Sequence, residues 1–150
     1  MRAGAAGAAL LLAGRGRAQA DAPAAGPDPK LYPTATFQLK DEAAVLKALF
    51  GKTPTPSAKI AFGAPEIAEN GAVVPITLKA DLPSVTKIAF LVLDNPYTLA
   101  AEYILPEGTI PDIAARLKLA KSTKIIAVVS SGDALYSASR DVKVTLGGCG

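Results

Sequence analysis

From about residue 56 onward the chain is a succession of short apolar runs in which every second position is apolar. Over 72–82, Val74, Ile76, Leu78 and Ala80 fall on one face and Val73, Thr77 and Lys79 on the other, the two-residue period of a half-buried strand. Over 85–93, Ile88, Phe90 and Val92 alternate with Lys87, Ala89 and Leu91, and over 113–119 Ile113, Ala115, Leu117 and Leu119 alternate with Arg116 and Lys118. The run 124–130 (KIIAVVS) is apolar almost throughout, as in a strand covered on both faces. Shorter strands are expected over 58–62, 66–69, 99–105, 134–139 and 141–146. Asn70-Gly71 predicts a hairpin joining 66–69 to 72–82, because both residues tolerate positive φ. Asp94-Asn95-Pro96 and Ser131-Gly132-Asp133 read as turns.

Seven or eight short strands with no long helix among them predict an antiparallel β-sandwich rather than an alternating α/β fold. The sequence contains no Trp and its one Cys lies outside the strands, so the antibody-type Cys-Trp-Cys core is missing. The one clear helical stretch is 41–50 (DEAAVLKALF). Asp41 can cap it, Glu42 suits its first turn, and Gly51 stands where a left-handed terminating residue is wanted. Val45, Ala48 and Leu49 form the apolar face expected to dock on a sheet.

The N-terminal pattern is different. Residues 3–14 (AGAAGAALLLAG) form an apolar run of 12 after Arg2. A membrane-spanning helix needs about 20 such residues, so the run fits a signal-peptide core instead. Ala18-Gln19-Ala20 supplies small residues for cleavage before Asp21. Arg15 and Arg17 lie between the core and that site, and there is no Arg-Arg pair. Residues 21–33, rich in Ala, Pro, Gly and Asp, read as a flexible spacer. The expected organisation is a signal peptide over 1–20, a linker over 21–40, a sandwich over 41–146 and a glycine-rich arm over 147–150.

This partition changes the meaning of the net charge. The formal +3 comes from 16 basic and 13 acidic residues, but Arg2, Arg15 and Arg17 all fall in the first 20 residues, which hold no acid. The remaining 13 basic residues face 13 acidic ones, and the body is neutral. Neither nucleic acid nor a membrane surface is expected as a partner.

Composition also limits the chemistry. With no His, the chain cannot build a Ser-His-Asp or Cys-His site. With one Cys it can form neither an internal disulfide nor a Cys-rich zinc site. Carboxylate-only sites for hard cations remain open by composition, but no clustered spacing such as an EF-hand loop appears, and no metal site and no cofactor of its own are expected. What remains is Cys149, between Gly147, Gly148 and Gly150, three residues after a strand that ends at Leu146. The glycines remove bulk and free the backbone, and the stretch from Leu146 to Cys149 can extend by roughly 10 Å. A flexible arm of this kind could present one sulfur to different partners in turn. The thiolate is the reactive form, and a species joined through an S–S bond could be passed on by exchange. The neighbouring C-terminal carboxylate disfavours a second negative charge. From spacing alone two other readings stand beside this one: an incidental tail thiol, or a thiol that forms an intermolecular disulfide.

The tail GGCG after the VKVT strand resembles the C-terminal arm of the SoxY family, sulfur-carrier subunits of the bacterial Sox thiosulfate-oxidation system. The resemblance extends through 48–50, the ENGAVVP segment 69–75, Asp94-Asn95-Pro96 and Ala115-Arg116-Leu117-Lys118. It implies an immunoglobulin-like sandwich, periplasmic location and a heterodimer with SoxZ. It also implies covalent attachment of the substrate to Cys149, with Gly147, Gly148 and Gly150 as the arm glycines. Its implied transient partners are the haem enzyme SoxAX, which couples thiosulfate onto the cysteine, the hydrolase SoxB, which releases sulfate, and SoxCD, which oxidises the remaining sulfur. The family arm usually ends Gly-Gly-Cys-Gly-Gly, one glycine more than here. Its leader usually carries a twin-arginine pair, and an Arg is common where Lys118 stands.

Other candidates have plainer readings. Arg116 and Lys118 could attract a sulfonate or a partner, but a solvated strand face explains them. Asn70-Gly71 and Asn95-Pro96 are explained by turns, and Glu66 and Glu69 by a surface hairpin arm. The expected function is that of a carrier, not an enzyme. A non-catalytic secreted sandwich that links to another chain through its tail cysteine is the alternative. A stand-alone thiol redox enzyme ranks last, because no Cys-x-x-Cys pair is present.

Overall fold

The computed structural model describes residues 34–148. The signal peptide expected over 1–20, the spacer over 21–33, and Cys149 and Gly150 lie outside the described residues. A 3₁₀ turn, Thr36–Gln38, precedes one α-helix, α1 (Glu42–Leu49). The strands follow: β1 (Thr55–Pro56), β2 (Ile60–Gly63), β3 (Ile67–Asn70), β4 (Val74–Ala80), β5 (Val85–Val92), β6 (Leu99–Ile104), β7 (Asp112–Leu117), β8 (Thr123–Ser131) and β9 (Ala134–Leu146).

They form the expected immunoglobulin-like sandwich. One sheet runs β1-β9-β8-β5-β6 with β3 also paired to β9, and the other runs β2-β4-β7. The alternation read in β4 holds residue by residue, with Val74, Ile76, Leu78 and Ala80 buried and the residues between them exposed. These side chains meet Ile88, Phe90, Val92, Ile125 and Val129 of the facing sheet in the main core. The Phe90 ring centroid lies 5.9 Å from that of Phe62 and 6.1 Å, edge-on, from that of Tyr103, separations typical of favourable aromatic pairs. β5 and β8 are buried on both faces because α1 covers the outside of their sheet. Val45 and Leu46 pack there with Ala89, Leu91, Leu99, Val128 and Leu135. The outer face of the three-stranded sheet is bare, exposing Pro75, Thr77, Lys79, Asp112, Ala114 and Arg116.

Asp41 caps α1 as expected, accepting the Ala44 N–H at 2.9 Å. The docking face is rotated from the expected one: Leu46 is buried with Val45, Leu49 is half-buried, and Ala48 is exposed. The folded body also starts before residue 41. Thr36 is buried, Phe37 and Leu39 pack against the cluster beneath the helix, and the Thr98 N–H donates to the Leu39 carbonyl at 2.9 Å.

Three strand expectations are corrected. β3 and β4 do not form a hairpin: β3 pairs in parallel with β9, while β4 lies between β2 and β7 in the other sheet. The chain crosses between sheets at Asn70-Gly71, and Gly71 is not among the positive-φ residues. The stretch read as two strands, 134–139 and 141–146, is the single strand β9, in unbroken register with β8 from Ala134 to Val142. Its polar middle, Ser139, Arg140 and Asp141, is exposed and lies between the stretch paired with β1 (Tyr136 and Ser137) and the stretch paired with β3 (from Lys143). The gap leaves that edge to solvent, so polar residues there mark an open edge rather than a turn. The third correction is β1, which the sequence did not reveal. It is two residues long and contains a Pro, which belongs at a sheet edge because it has no N–H to donate. The β8–β9 turn is as expected, with Gly132 at φ 55 in the first loop position, the one that requires positive φ in a type II′ hairpin.

Candidate functional site

The candidate site is where β9 ends and the stretch expected to carry the cysteine begins. Three segments converge there: the end of β9, the β3–β4 crossover, and the stretch after β7. The Gly71 N–H donates to the Leu146 carbonyl at 2.7 Å, and the Leu119 N–H donates to the Gly71 carbonyl at 2.7 Å. The Gly148 N–H donates to the Leu119 carbonyl at 3.0 Å. These bonds link the arm base to the body on both sides. The Thr145 hydroxyl adds a bond to the Glu69 carbonyl at 3.0 Å, and the Asn70 side chain accepts the Ala72 N–H at 2.9 Å.

The contacts at this seat are backbone to backbone, apart from the Val144 side chain beside Gly71, and leave no room for a further side chain. A Cβ on Gly71, which is buried, would collide with the Leu119 carbonyl oxygen and stand 2.9 Å from the Gly148 nitrogen. A Cβ on Gly147 would collide with the Ala120 carbonyl oxygen, and one on Gly148 would stand 2.7 Å from the Ala72 nitrogen and Cα. Real Cβ atoms do not approach so closely. The first two arm glycines, expected to give freedom of movement, are therefore explained in this structure by close approach to the body.

The segment 118–120 is in turn held from its other side. The Asn95 side chain donates to the Lys118 carbonyl at 2.8 Å and accepts the Ala120 N–H at 2.8 Å. The Ser122 hydroxyl accepts the Val144 N–H at 2.8 Å. The sequence marks Asn70-Gly71 and Asn95-Pro96 as turns, but their role in holding the arm base depends on contacts between distant segments. Val73 and Leu146, on the segments that build the seat, are 53% and 66% exposed.

The remaining candidates fall outside this arrangement. Arg116 is exposed on the bare face of the three-stranded sheet, opposite Pro75 on β4. Lys118 is exposed, and its part in the seat comes through its backbone carbonyl alone. Glu66 and Glu69 are exposed. A shallow groove beside β9 mixes Glu66, Asp94 and Asp141 with Lys124 and Lys143, so charge of neither sign dominates it. Among the described residues no three or more His, Cys, Asp or Glu side chains cluster as a metal site would require.

The family model described as sulfur oxidation protein SoxY matches residues 46–149. The chain belongs to the SoxY family. The match runs from α1 through the whole sandwich and the seat, and its last residue is Cys149. Among solved structures, the chain resembles the sulfur carrier protein SoxY from Chlorobium limicola f thiosulfatophilum, with 36% identity and a TM-score of 0.63. The alignment covers 69% of this chain and 96% of that one. It also resembles the superoxide reductase (neelaredoxin) from Ignicoccus hospitalis, with 21% identity and a TM-score of 0.50. That alignment covers 57% of this chain and 80% of that one, and it is a likeness of fold alone. No curated protein matches the chain. As a SoxY-family member the chain is a sulfur oxidation protein built on a two-sheet β-sandwich.

Proposed function

We propose that this protein is a covalent carrier of sulfur intermediates in periplasmic thiosulfate oxidation, with the substrate attached to Cys149. The observation that carries the reading is the family match, which runs through the seat to residue 149, the position of the chain's only thiol. The likeness to a sulfur carrier protein over almost the whole of that protein's length supports it. The chain has no His and one Cys, a composition that suits a carrier whose chemistry is performed by its partners.

The proposed chemistry follows from sulfur bonding. Joining the Cys149 thiolate to the outer sulfur of thiosulfate forms an S–S bond and releases two electrons, which the haem enzyme SoxAX accepts. Water added at the sulfonate by SoxB releases sulfate and two protons and leaves a persulfide on Cys149. SoxCD, a dehydrogenase, then accepts the electrons as water supplies three oxygens to that outer sulfur and protons are released, which leaves a sulfonate on the Cys149 sulfur. A second hydrolysis by SoxB releases it as sulfate and returns the thiolate. SoxZ is the proposed stable partner in a heterodimer, and the N-terminal leader is the proposed export signal.

The test is reconstitution with the other Sox components. Intact-mass analysis of the loaded protein is expected to show an adduct on Cys149 that reductant removes, and Cys149→Ser to support no thiosulfate oxidation. Full activity of Cys149→Ser would overturn the proposal. The same mass measurement reports where the leader is cleaved.

A further inference from the structure

We infer that Asn95 is a positioning residue for the carrier arm: it holds the 118–120 backbone that anchors Gly148, so that the chain is tied to the body as far as residue 148 rather than only as far as Leu146. The inference deepens the reading of Cys149 as the attachment point and rests on it.

In an extended segment, successive residues turn their backbone polar groups to opposite sides. The Lys118 carbonyl and the Ala120 N–H turn to one side, where the Asn95 side chain satisfies both at 2.8 Å. The Leu119 N–H and carbonyl turn to the other, where they bond Gly71 at 2.7 Å and Gly148 at 3.0 Å. Asn95 thus acts as a one-residue substitute for a neighbouring strand. A carboxamide suits this because it supplies a donor and an acceptor together, which a carboxylate does not. The Leu119 side chain is fully buried and fixes the segment from the core side.

The consequence concerns reach. A tether free from Leu146 would give the thiol roughly 10 Å of travel, whereas one anchored at Gly148 leaves roughly a single residue's extension of about 3.5 Å. A partner must therefore approach the seat, with its exposed Val73 and Leu146, or the seat must open first.

The test uses the full chain. Amide hydrogen exchange read by NMR is expected to show Gly148 and Gly71 protected in the wild type. Asn95→Ala removes two hydrogen bonds from the seat and is expected to speed Gly148 exchange by about tenfold or more, with the Ile88 and Val129 amides unchanged. A nitroxide attached to Cys149, the only thiol, is expected to show restricted motion in the wild type and a new mobile component in Asn95→Ala. Asn95→Asp keeps the acceptor and loses the donor, so it should fall between the two, and it serves if the Ala variant does not fold. Free-peptide exchange at Gly148 in the wild type would overturn the inference, as would equal acceleration of seat and core amides in the variants. Neither measurement involves sulfur loading. A failed seat leaves the carrier proposal standing, and an active Cys149→Ser would sink that proposal while leaving the seat in place.

Discussion

A Cβ on Gly148 would stand 2.7 Å from the backbone nitrogen and Cα of Ala72, so the arm base and the β3–β4 crossover touch as two bare backbones. The same is true of Gly71 against Leu119, but the two glycines differ in how they can yield. Gly148 lies beyond the end of β9 and is held by the bond its N–H donates to the Leu119 carbonyl, so a Cβ there can be relieved by undocking and the cost of Gly148→Ala cannot exceed what docking contributes. Gly71 is buried between the end of β9 and the 118–120 segment and cannot move without disturbing both. Gly71→Ala is expected to lower unfolding free energy by about 1–3 kcal/mol, the range for forced overpacking. Gly148→Ala should cost less than about 1 kcal/mol, roughly one hydrogen bond's net worth. Urea unfolding of the two variants checks the order, and equal losses would contradict it.

The Lys87–Glu102 ion pair on the outer face of the larger sheet makes a second prediction. The ammonium and carboxylate are 2.9 Å apart, with side-chain exposures of 27% for Lys87 and 5% for Glu102. The Lys87 ammonium also lies 5.6 Å from the centre of the Phe50 ring, just beyond the end of α1. Removing the lysine strands a desolvated carboxylate. Lys87→Met is expected to cost about 2–4 kcal/mol, slightly below the fully buried range because Lys87 keeps some solvent. Lys87→Met combined with Glu102→Leu should recover most of that loss, because no charge is then left unpaired. A double-mutant cycle by chemical denaturation reads the coupling directly.

The helix face provides a test of packing against pattern. The sequence favours Ala48 as a docking residue, yet the structure exposes it and buries Leu46 beside Val45. Leu46→Ala should therefore destabilise by about 2–4 kcal/mol, as large-to-small changes in packed sites do. Ala48→Lys should change stability by less than about 0.5 kcal/mol, as expected of an exposed surface position. Reversal of that order, measured by thermal unfolding, would restore the sequence-based face.

These differences show which features a single sequence carries. Strand periodicity is local: each residue's face depends on its immediate neighbours, and β4 was legible to the residue. Pairing is not local. Asn70-Gly71 looks like a hairpin because its two residues suit one, but Ala68 and Val144 share the core on adjacent strands, and β3 takes its partner from the far end of the chain. The seat was illegible for the same reason. Gly71, Leu119 and Gly148 meet only after three distant segments have folded, and a glycine needed for close approach looks the same in sequence as one needed for freedom or for positive φ. Gly132 carried its reason in the turn around it, whereas Gly147 and Gly148 did not. Cys149 stands out in the sequence as a candidate because so little else in the composition could react.

Lys118 separates side-chain effects from backbone effects at the seat. It is exposed, and Asn95 binds its carbonyl rather than its ammonium. Truncating the side chain therefore leaves every hydrogen bond of the seat in place. Lys118→Ala is expected to leave the unfolding midpoint within about 0.5 kcal/mol of the wild type, as for other exposed positions. Gly148 amide exchange should also remain at its wild-type rate. Against that unchanged background, any loss of sulfur transfer in Lys118→Ala or Arg116→Ala would belong to recognition of a partner or an anion. Such a loss should shrink with added salt, because exposed charges act only over about a Debye length. If Lys118→Ala instead loosened Gly148, the ammonium would be shown to support the arm directly.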